Sequence, residues 1–411
     1  MAWKKKDKTN LFTRSTKASL KFANQNKKES IDLLTTEYRR VMTIFIPILW
    51  PMERIPNLLP KEITDQVETW LSARMKQCAG KQASGIVRGT RAKQKKQLFM
   101  IAKLNSEGKF KQARRLQKFY DNTKVSMPEI SHIEMELDGR FASIDLNNPT
   151  SFDGWLNLGS IGNNIQLKIP FKKTAHFNKL TALGTMTKGV RISKTKLTFI
   201  FEIPKPPLKE TGTKEGVDVG ILSTVTCSDG FQTIKNKHNH DLRTILGRMA
   251  RKKPGSKAFE RCIAHRTNYI NWAINQFDLT NIKQLYVEDL RHLRKSRRVS
   301  RILERWAFRG IFDKLDSSCE EHGVRINRKD PIYTSQRCSL CGWTRRSNRK
   351  GKIFKCGRCG NTMDADLNAS RNLALELPEI TQKQRLGHPN KQGFYWCALG
   401  QEPIVPAVRE T

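Results

Sequence analysis

Two Cys-x-x-Cys pairs, Cys338-Ser-Leu-Cys341 and Cys356-Gly-Arg-Cys359, stand fourteen residues apart, and Asp366 follows seven residues after the second. Each pair offers two sulfurs from one tight turn, and two such turns can close a tetrahedral Zn²⁺ site with four thiolates. The gap is at the short edge of what such sites use. Residues 338–359 are therefore expected to fold as a small zinc ribbon, stapled by metal rather than by a core. Between the pairs lie Arg345, Arg346, Arg349, Lys350, Lys352 and Lys355, with no acidic residue. A compact cationic loop suits a phosphodiester backbone. A purely structural ribbon is the plainer alternative.

The rest of the composition points the same way. Lys and Arg number 76 against 38 Asp and Glu, a formal charge of +38. A chain so charged repels itself unless a polyanion neutralises it, and nucleic acid is the usual one. An acidic membrane surface is disfavoured: no apolar run approaches the roughly 18 residues of a spanning helix, and the stretch 43–50 is short and interrupted by Pro47. The N-terminus shows no secretory pattern. Of the nine cysteines, Cys78, Cys227, Cys262, Cys319 and Cys397 are scattered without pairing spacing, as expected of reduced thiols in a cytoplasm.

At 411 residues the chain is expected to form two to four domains. Residues 1–38 read as a basic, poorly ordered extension. Alternation of Val41, Thr43 and Phe45 with Met42, Ile44 and Ile46 predicts a strand over 41–46 that ends at Pro47. Residues 60–123 read as helical, with Val67, Trp70, Leu71 and Met75, then Leu98, Ile101 and Leu104, then Phe110, Ala113, Leu116 and Phe119 at helical spacing. Residues 128–204 return to period-two alternation, punctuated by Asp-Gly and Gly-Asn pairs at 138–139, 153–154 and 162–163. The simplest arrangement is a β-barrel or sandwich, over 39–59 and 124–210, interrupted by the helical block.

Beyond Pro204-Lys-Pro206-Pro207 the texture changes. Val217-Asp218-Val219 and Ser223–Cys227 predict a hairpin, 240–250 and 256–278 helices, 282–287 a strand, 300–322 a helix, Val324-Arg-Ile326 a strand and Asp366 onwards a last helix. Residues 377–411 read as a peripheral tail. Three acids sit at element ends in this half. Asp218 lies in an apolar strand, where a carboxylate is costly to bury without a cation. Glu288 ends a strand, the usual active-site edge of α/β sheets, and Asp366 opens a helix, where it could be a cap. Each alone has a bland explanation. Together, in that order, they are the layout of an RNase H-like nuclease core. Such a trio would hold two Mg²⁺ ions roughly 4 Å apart through hard oxygen ligands.

The ordered motifs Gly216-Val-Asp218-Val-Gly220-Ile with Ser228-Asp-Gly230, Val287-Glu288-Asp289-Leu, Tyr333-Thr-Ser-Gln-Arg-Cys338 through Cys341-Gly, Cys356-Gly-Arg-Cys359-Gly, and Met363-Asp364-Ala-Asp366-Leu-Asn368-Ala resemble the TnpB family of transposon-encoded, RNA-guided DNA nucleases. Miniature type V CRISPR effectors share their RuvC-like core. The resemblance is close over 214–376. It implies an α+β multidomain fold: a RuvC-like nuclease domain over 211–337 and 360–376 with an inserted zinc ribbon, a wedge-like β-barrel, and a helical recognition insertion over 60–123. It implies Asp218, Glu288 and Asp366 as catalytic Mg²⁺ ligands, Asp364 as a helix-entry residue, and guide RNA and target double-stranded DNA as partners. The basic run Arg291, Arg294, Lys295, Arg297 and Arg298, with Arg345, Arg346 and Arg349 of the ribbon, is expected to contact nucleic acid.

The expected function is single-site, two-metal cleavage of RNA-selected DNA. A guide-dependent DNA-binding repressor that does not cut is the alternative from another class, disfavoured by the presence of all three acids. A strand-transferring transposase would need end recognition that the sequence does not display. A single-strand transposase needs a His-apolar-His pair that His238-Asn-His240 does not supply.

Overall fold

The computed structural model describes residues 10–123, 126–147, 150–160, 164–290, 301–380 and 389–398. The chain divides at Pro204/Lys205 into two compact units, together an α+β protein.

The first unit begins with strand β1 (Leu11–Ser19), followed by helix α1 (Gln25–Leu49), the short α2 (Lys61–Thr64), α3 (Ala73–Ser106) and α4 (Phe110–Thr123). The leader is thus not an unstructured extension through residue 38. β1 pairs antiparallel along its whole length with β7 (Lys196–Pro204). The expected strand at 41–46 is instead the interior of α1. Ile31, Leu34, Tyr38, Val41, Met42, Phe45, Ile46 and Leu49 are all buried, a spacing of three and four that only a helix turns to one side. Pro47 falls in the last turn, so the ladder bond its missing N–H forfeits is among the last of the helix. Trp70 and Leu71 precede α3 rather than joining it: Ser72 caps that helix, its side chain accepting from the Met75 amide.

The remaining strands are β2 (Met135–Leu137), β3 (Ala142–Asp145), β4 (Gly154–Ser160), β5 (Ile165–Phe171) and β6 (Thr185–Ile192), with an unanticipated helix α5 (Ala175–Leu183) between β5 and β6. They form two antiparallel sheets, β1-β7-β6-β2 and β3-β4-β5. Their inner residues and one face of α1 and α3 share a single core. The Gly-Asn turn expected at 162–163 lies outside the described residues. At the centre Phe199 sits 5.0 Å, centroid to centroid, from both Phe171 and Phe177. By contrast Leu98, Phe110 and Phe119, expected on the apolar stripe of the helical block, are exposed.

The second unit opens with β8 (Thr213–Asp218) and β9 (Thr226–Cys227), then α6 (Leu242–Ala250), α7 (Lys257–Asn275), β10 (Ile282–Glu288), α8 (Arg301–Arg305), α9 (Phe308–Glu321) and β11 (Arg325–Lys329). The helix expected over 300–322 is broken between α8 and α9. The sheet order is β11-β10-β8-β9, with β10 parallel to β8 and β11, and β9 antiparallel to β8. An isolated bridge between Thr226 and Gln232 continues it beyond β9. Asp241 and Ser256 cap α6 and α7 through their side chains, and these helices with α9 bury their apolar stripes in the core of this unit.

After β11 come β12 (Trp343–Thr344), β13 (Arg349–Lys350), β14 (Ile353–Lys355), β15 (Thr362–Asp364), α10 (Ala365–Ala374) and β16 (Phe394–Tyr395). The ribbon's three-stranded sheet β13-β14-β15 runs on past the second cysteine pair into the start of α10. The tail is not wholly peripheral: β16 pairs with β12, and the Trp396 amide donates to the Gly342 carbonyl at 3.0 Å. Among the described residues no helix is long and apolar enough to cross a membrane.

Candidate functional site: an acidic cluster beside a four-cysteine centre

The two cysteine pairs adopt the same turn. In the first, the Gly342 amide donates to the Cys338 carbonyl, and in the second the Gly360 amide donates to that of Cys356, at 3.0 and 3.1 Å. Both glycines follow the second cysteine at positive φ, +78° and +72°, a conformation that side chains with a Cβ resist. The turns bring all four sulfurs within 4.8 Å of one another. Cys338 and Cys359 are 3.7 Å apart and Cys341 and Cys356 3.6 Å apart. These spacings are too long for disulfides, which need about 2.05 Å, and close to the edge of a tetrahedron around an ion with bonds of about 2.3 Å. The four thiols form a donor set suited to zinc, as the sequence predicts.

The three acids meet at the C-terminal edge of the sheet. Val217 on β8 is paired with Val287 on β10, so Asp218 and Glu288 end neighbouring parallel strands side by side. α10 lies directly against β8. A Cβ on Gly216 would come within 2.0 Å of the Ser370 carbonyl oxygen, so this glycine permits the approach that carries Asp366 to the other two. Asp366 is buried at 5% exposure, and Asp218 and Glu288 remain partly accessible.

Their electrostatics register the crowding. The Asp218 carboxyl is pushed well above its ordinary range by burial and by repulsion from Glu288 and Asp366, with Arg349 and Lys352 opposing. Burial also raises Glu288, while a hydrogen bond from the Thr334 hydroxyl at 2.8 Å favours its ionised form. Three carboxylates so placed outnumber the two cations beside them, Arg349 and Lys352, and hard oxygen donors of this kind fit divalent cations such as Mg²⁺. Asp364 has a different task. Its Oδ1 accepts from the Asp366 and Leu367 amides at 2.9 and 3.1 Å, which makes it the N-cap of α10 and leaves the Asp366 side chain free of that role.

Further residues complete the site. Arg349 Nη2 donates to Asp366 Oδ1 at 3.0 Å, and the Lys352 ammonium donates to Oδ2. Arg349, expected to face nucleic acid, is thus turned onto an acid of the cluster, whereas Arg345 and Arg346 are exposed. A buried polar hub ties the ribbon to α10. Arg337, fully buried, donates from Nη1 to Asn372 Oδ1 at 2.7 Å, and its own carbonyl accepts from Asn368 and Asn372 at 2.7 Å each. Arg337 and Asn368 lie in the Gln-Arg-Cys and Asp-Leu-Asn-Ala motifs and Asn372 beyond both, and nothing in the letters pairs them. Arg291, Arg294, Lys295, Arg297 and Arg298 lie outside the described residues.

Comparison with known protein families finds a match within this unit. Residues 308–373 match the family model described as Cas12f1-like, TNB domain. The chain is 42% identical over 92 residues to a CRISPR-associated endodeoxyribonuclease Cas12f1 of Sulfoacidibacillus thermotolerans, covering 22% of this chain and 21% of that one. It is 25% identical over 225 residues to a putative RNA-guided DNA endonuclease, InsQ, of Escherichia coli (strain K12), covering 45% and 55%. A TnpB-like protein of Aquifex aeolicus (strain VF5) is 33% identical over 81 residues, covering 19% and 26%. The matches therefore span between about a fifth and about half of the length of these relatives.

Proposed function

We propose that this chain, a relative of the TnpB-like proteins and miniature type V effectors, is an RNA-guided DNA endonuclease. Relatives named as RNA-guided or CRISPR-associated DNA endonucleases support the activity class. The single observation that carries the reading is the meeting of Asp218, Glu288 and Asp366 from β8, β10 and α10 at one sheet edge. The sheet supports an RNase H-like (RuvC) core: an antiparallel hairpin edge, then two parallel strands, with acids at the ends of the central pair.

In this reading Asp218, Glu288 and Asp366 hold divalent cations, Mg²⁺ by the hardness of their oxygens. Bound there, the ions would supply an activated water and stabilisation of the departing 3′-oxygen. The protein's own residues do the rest. Thr334 fixes the Glu288 carboxylate, Asp364 frees Asp366 by capping the helix in its place, and the close β8–α10 packing at Gly216 sets the spacing of the trio. The ribbon, with Zn²⁺ on Cys338, Cys341, Cys356 and Cys359, presents exposed Arg345 and Arg346 to phosphate. The two-sheet domain and its helical insertion are the wedge-like and recognition parts that engage guide RNA and target duplex. Target choice is then made by base pairing and not by side chains.

The test is to purify the protein with its native locus, sequence the RNA that co-purifies, and assay cutting of matching duplex DNA with Mg²⁺. Wild type is expected to cut, and Asp218→Ala to bind the RNA and target normally while losing at least about 10³-fold in cutting. Unchanged cutting by Asp218→Ala overturns the site. Guide-directed binding without cutting by wild type would establish the non-cutting repressor instead.

A further inference from the structure

Both oxygens of Asp366 are occupied from the ribbon, by Arg349 on Oδ1 and Lys352 on Oδ2. The two cations are held differently. Arg349 presents a planar fork, and its Nε also donates to the Gly351 carbonyl at 3.2 Å. Lys352 contributes a single point charge on a flexible stem, and its side chain is 38% exposed, with a path to water. Its backbone is nonetheless anchored. The Ala365 amide donates to the Lys352 carbonyl at 2.8 Å, and Ile353 is paired with Asp364. The ammonium is therefore carried to Asp366 by the fold of the ribbon and is not a stray surface charge.

This arrangement conflicts with the reading of the preceding subsection, on which the inference rests. The oxygen that accepts from Lys352 is also one a divalent cation needs, and two cations drawn to one oxygen repel at close range. Without the ion, the ammonium pairs with a buried carboxylate and keeps it in place. With the ion, the lysine is superfluous and in the way. We propose that Lys352 is a positioning residue that holds Asp366 ready in the metal-free site and yields Oδ2 on metal entry, so that its charge sets how tightly the site takes the cation. Arg349, braced by its second hydrogen bond, stays.

The measurement is Mn²⁺ binding by the full chain, followed through the electron paramagnetic resonance of free Mn²⁺, with zinc content and circular dichroism recorded for every variant. Lys352→Met, which keeps the stem and removes the charge, is expected to bind Mn²⁺ about tenfold more tightly than wild type. Lys352→Gln should behave alike and serves if the methionine variant loses zinc. Lys352→Arg should stay within about threefold of wild type, as should Arg345→Met, which removes an exposed ribbon charge. Unchanged or weaker binding by the neutral Lys352 variants at normal zinc content overturns the proposal, as does equal tightening by Arg345→Met. Asp366→Asn binding Mn²⁺ as well as wild type would instead remove the acidic cluster as the metal site, a separate failure.

Discussion

The two-sheet unit and the ribbon are held together by different forces. The first buries aromatic and aliphatic side chains from seven strands and two long helices around Phe171, Phe177, Phe199 and Phe201. The ribbon's core is Phe354, Ala365 and the cysteines themselves, with Trp343 and Met363 only partly buried. Burying one phenylalanine contributes about 1.5–3 kcal/mol, whereas ordering each residue costs about 1–2 kcal/mol. More than twenty ordered residues cannot be held on that basis. A structural zinc ion contributes about 10–16 kcal/mol, the largest single contribution open to the ribbon. The acidic cluster therefore stands beside the part of the molecule whose fold depends most on conditions.

The largest expected effect follows from metal removal. A strong chelator, or Cys356→Ser, should unfold the ribbon and abolish cutting, while the first unit keeps its far-ultraviolet circular dichroism and its unfolding transition. Loss of both transitions together would show that the ribbon is not separately stabilised. Next in size, Phe199→Ala should destabilise the first unit by about 3–5 kcal/mol and leave the zinc content of the second unchanged, as read by denaturant melts beside metal analysis. The smallest effect is electrostatic. Burial and its acidic neighbours raise the Asp218 pKa above the ordinary 3.8, so the metal-free folded state holds a proton that the unfolded chain has released. Stability from this group is full below the unfolded value and is lost as pH rises through the raised folded value. Metal-free protein should accordingly melt at lower temperature as pH rises through that window. Asp218→Asn should flatten the trend and raise the neutral-pH melting temperature by a few degrees, though cutting is lost. A variant that melts lower would mean Asp218 is stabilising as it stands.

What could be read from the chain divides along the same line. The cysteines and the three acids are specified by chemistry that few residue types can perform, so their identities and spacing carry the inference without a fold. β1 was hidden because its inward residues include Thr16 and Ala18, too small to mark a hydrophobic alternation, and its main tie is backbone pairing with β7. α1 was misread because six residues around Val41 to Ile46 satisfy both a period of two and the helical spacing that starts at Ile31. Pro47 reads as a strand end in the sequence and occupies the last turn of a helix in the fold. The pairing of Arg349 and Lys352 with Asp366 was invisible for another reason. Charge runs between cysteines look alike whether they face solvent or an acid, and only the β13–β14 turn decides which.

The β12–β16 pairing has a bearing on synthesis. The hub residue Arg337 gives its Nε hydrogen to the Trp396 carbonyl, and Trp343 packs edge-on against Tyr395 with ring centres 5.0 Å apart. Both partners leave the ribosome after α10. A nascent chain thus holds every acid of the cluster before it holds the strap that steadies their scaffold, and the centre reaches its finished form late, once the first unit has had time to close.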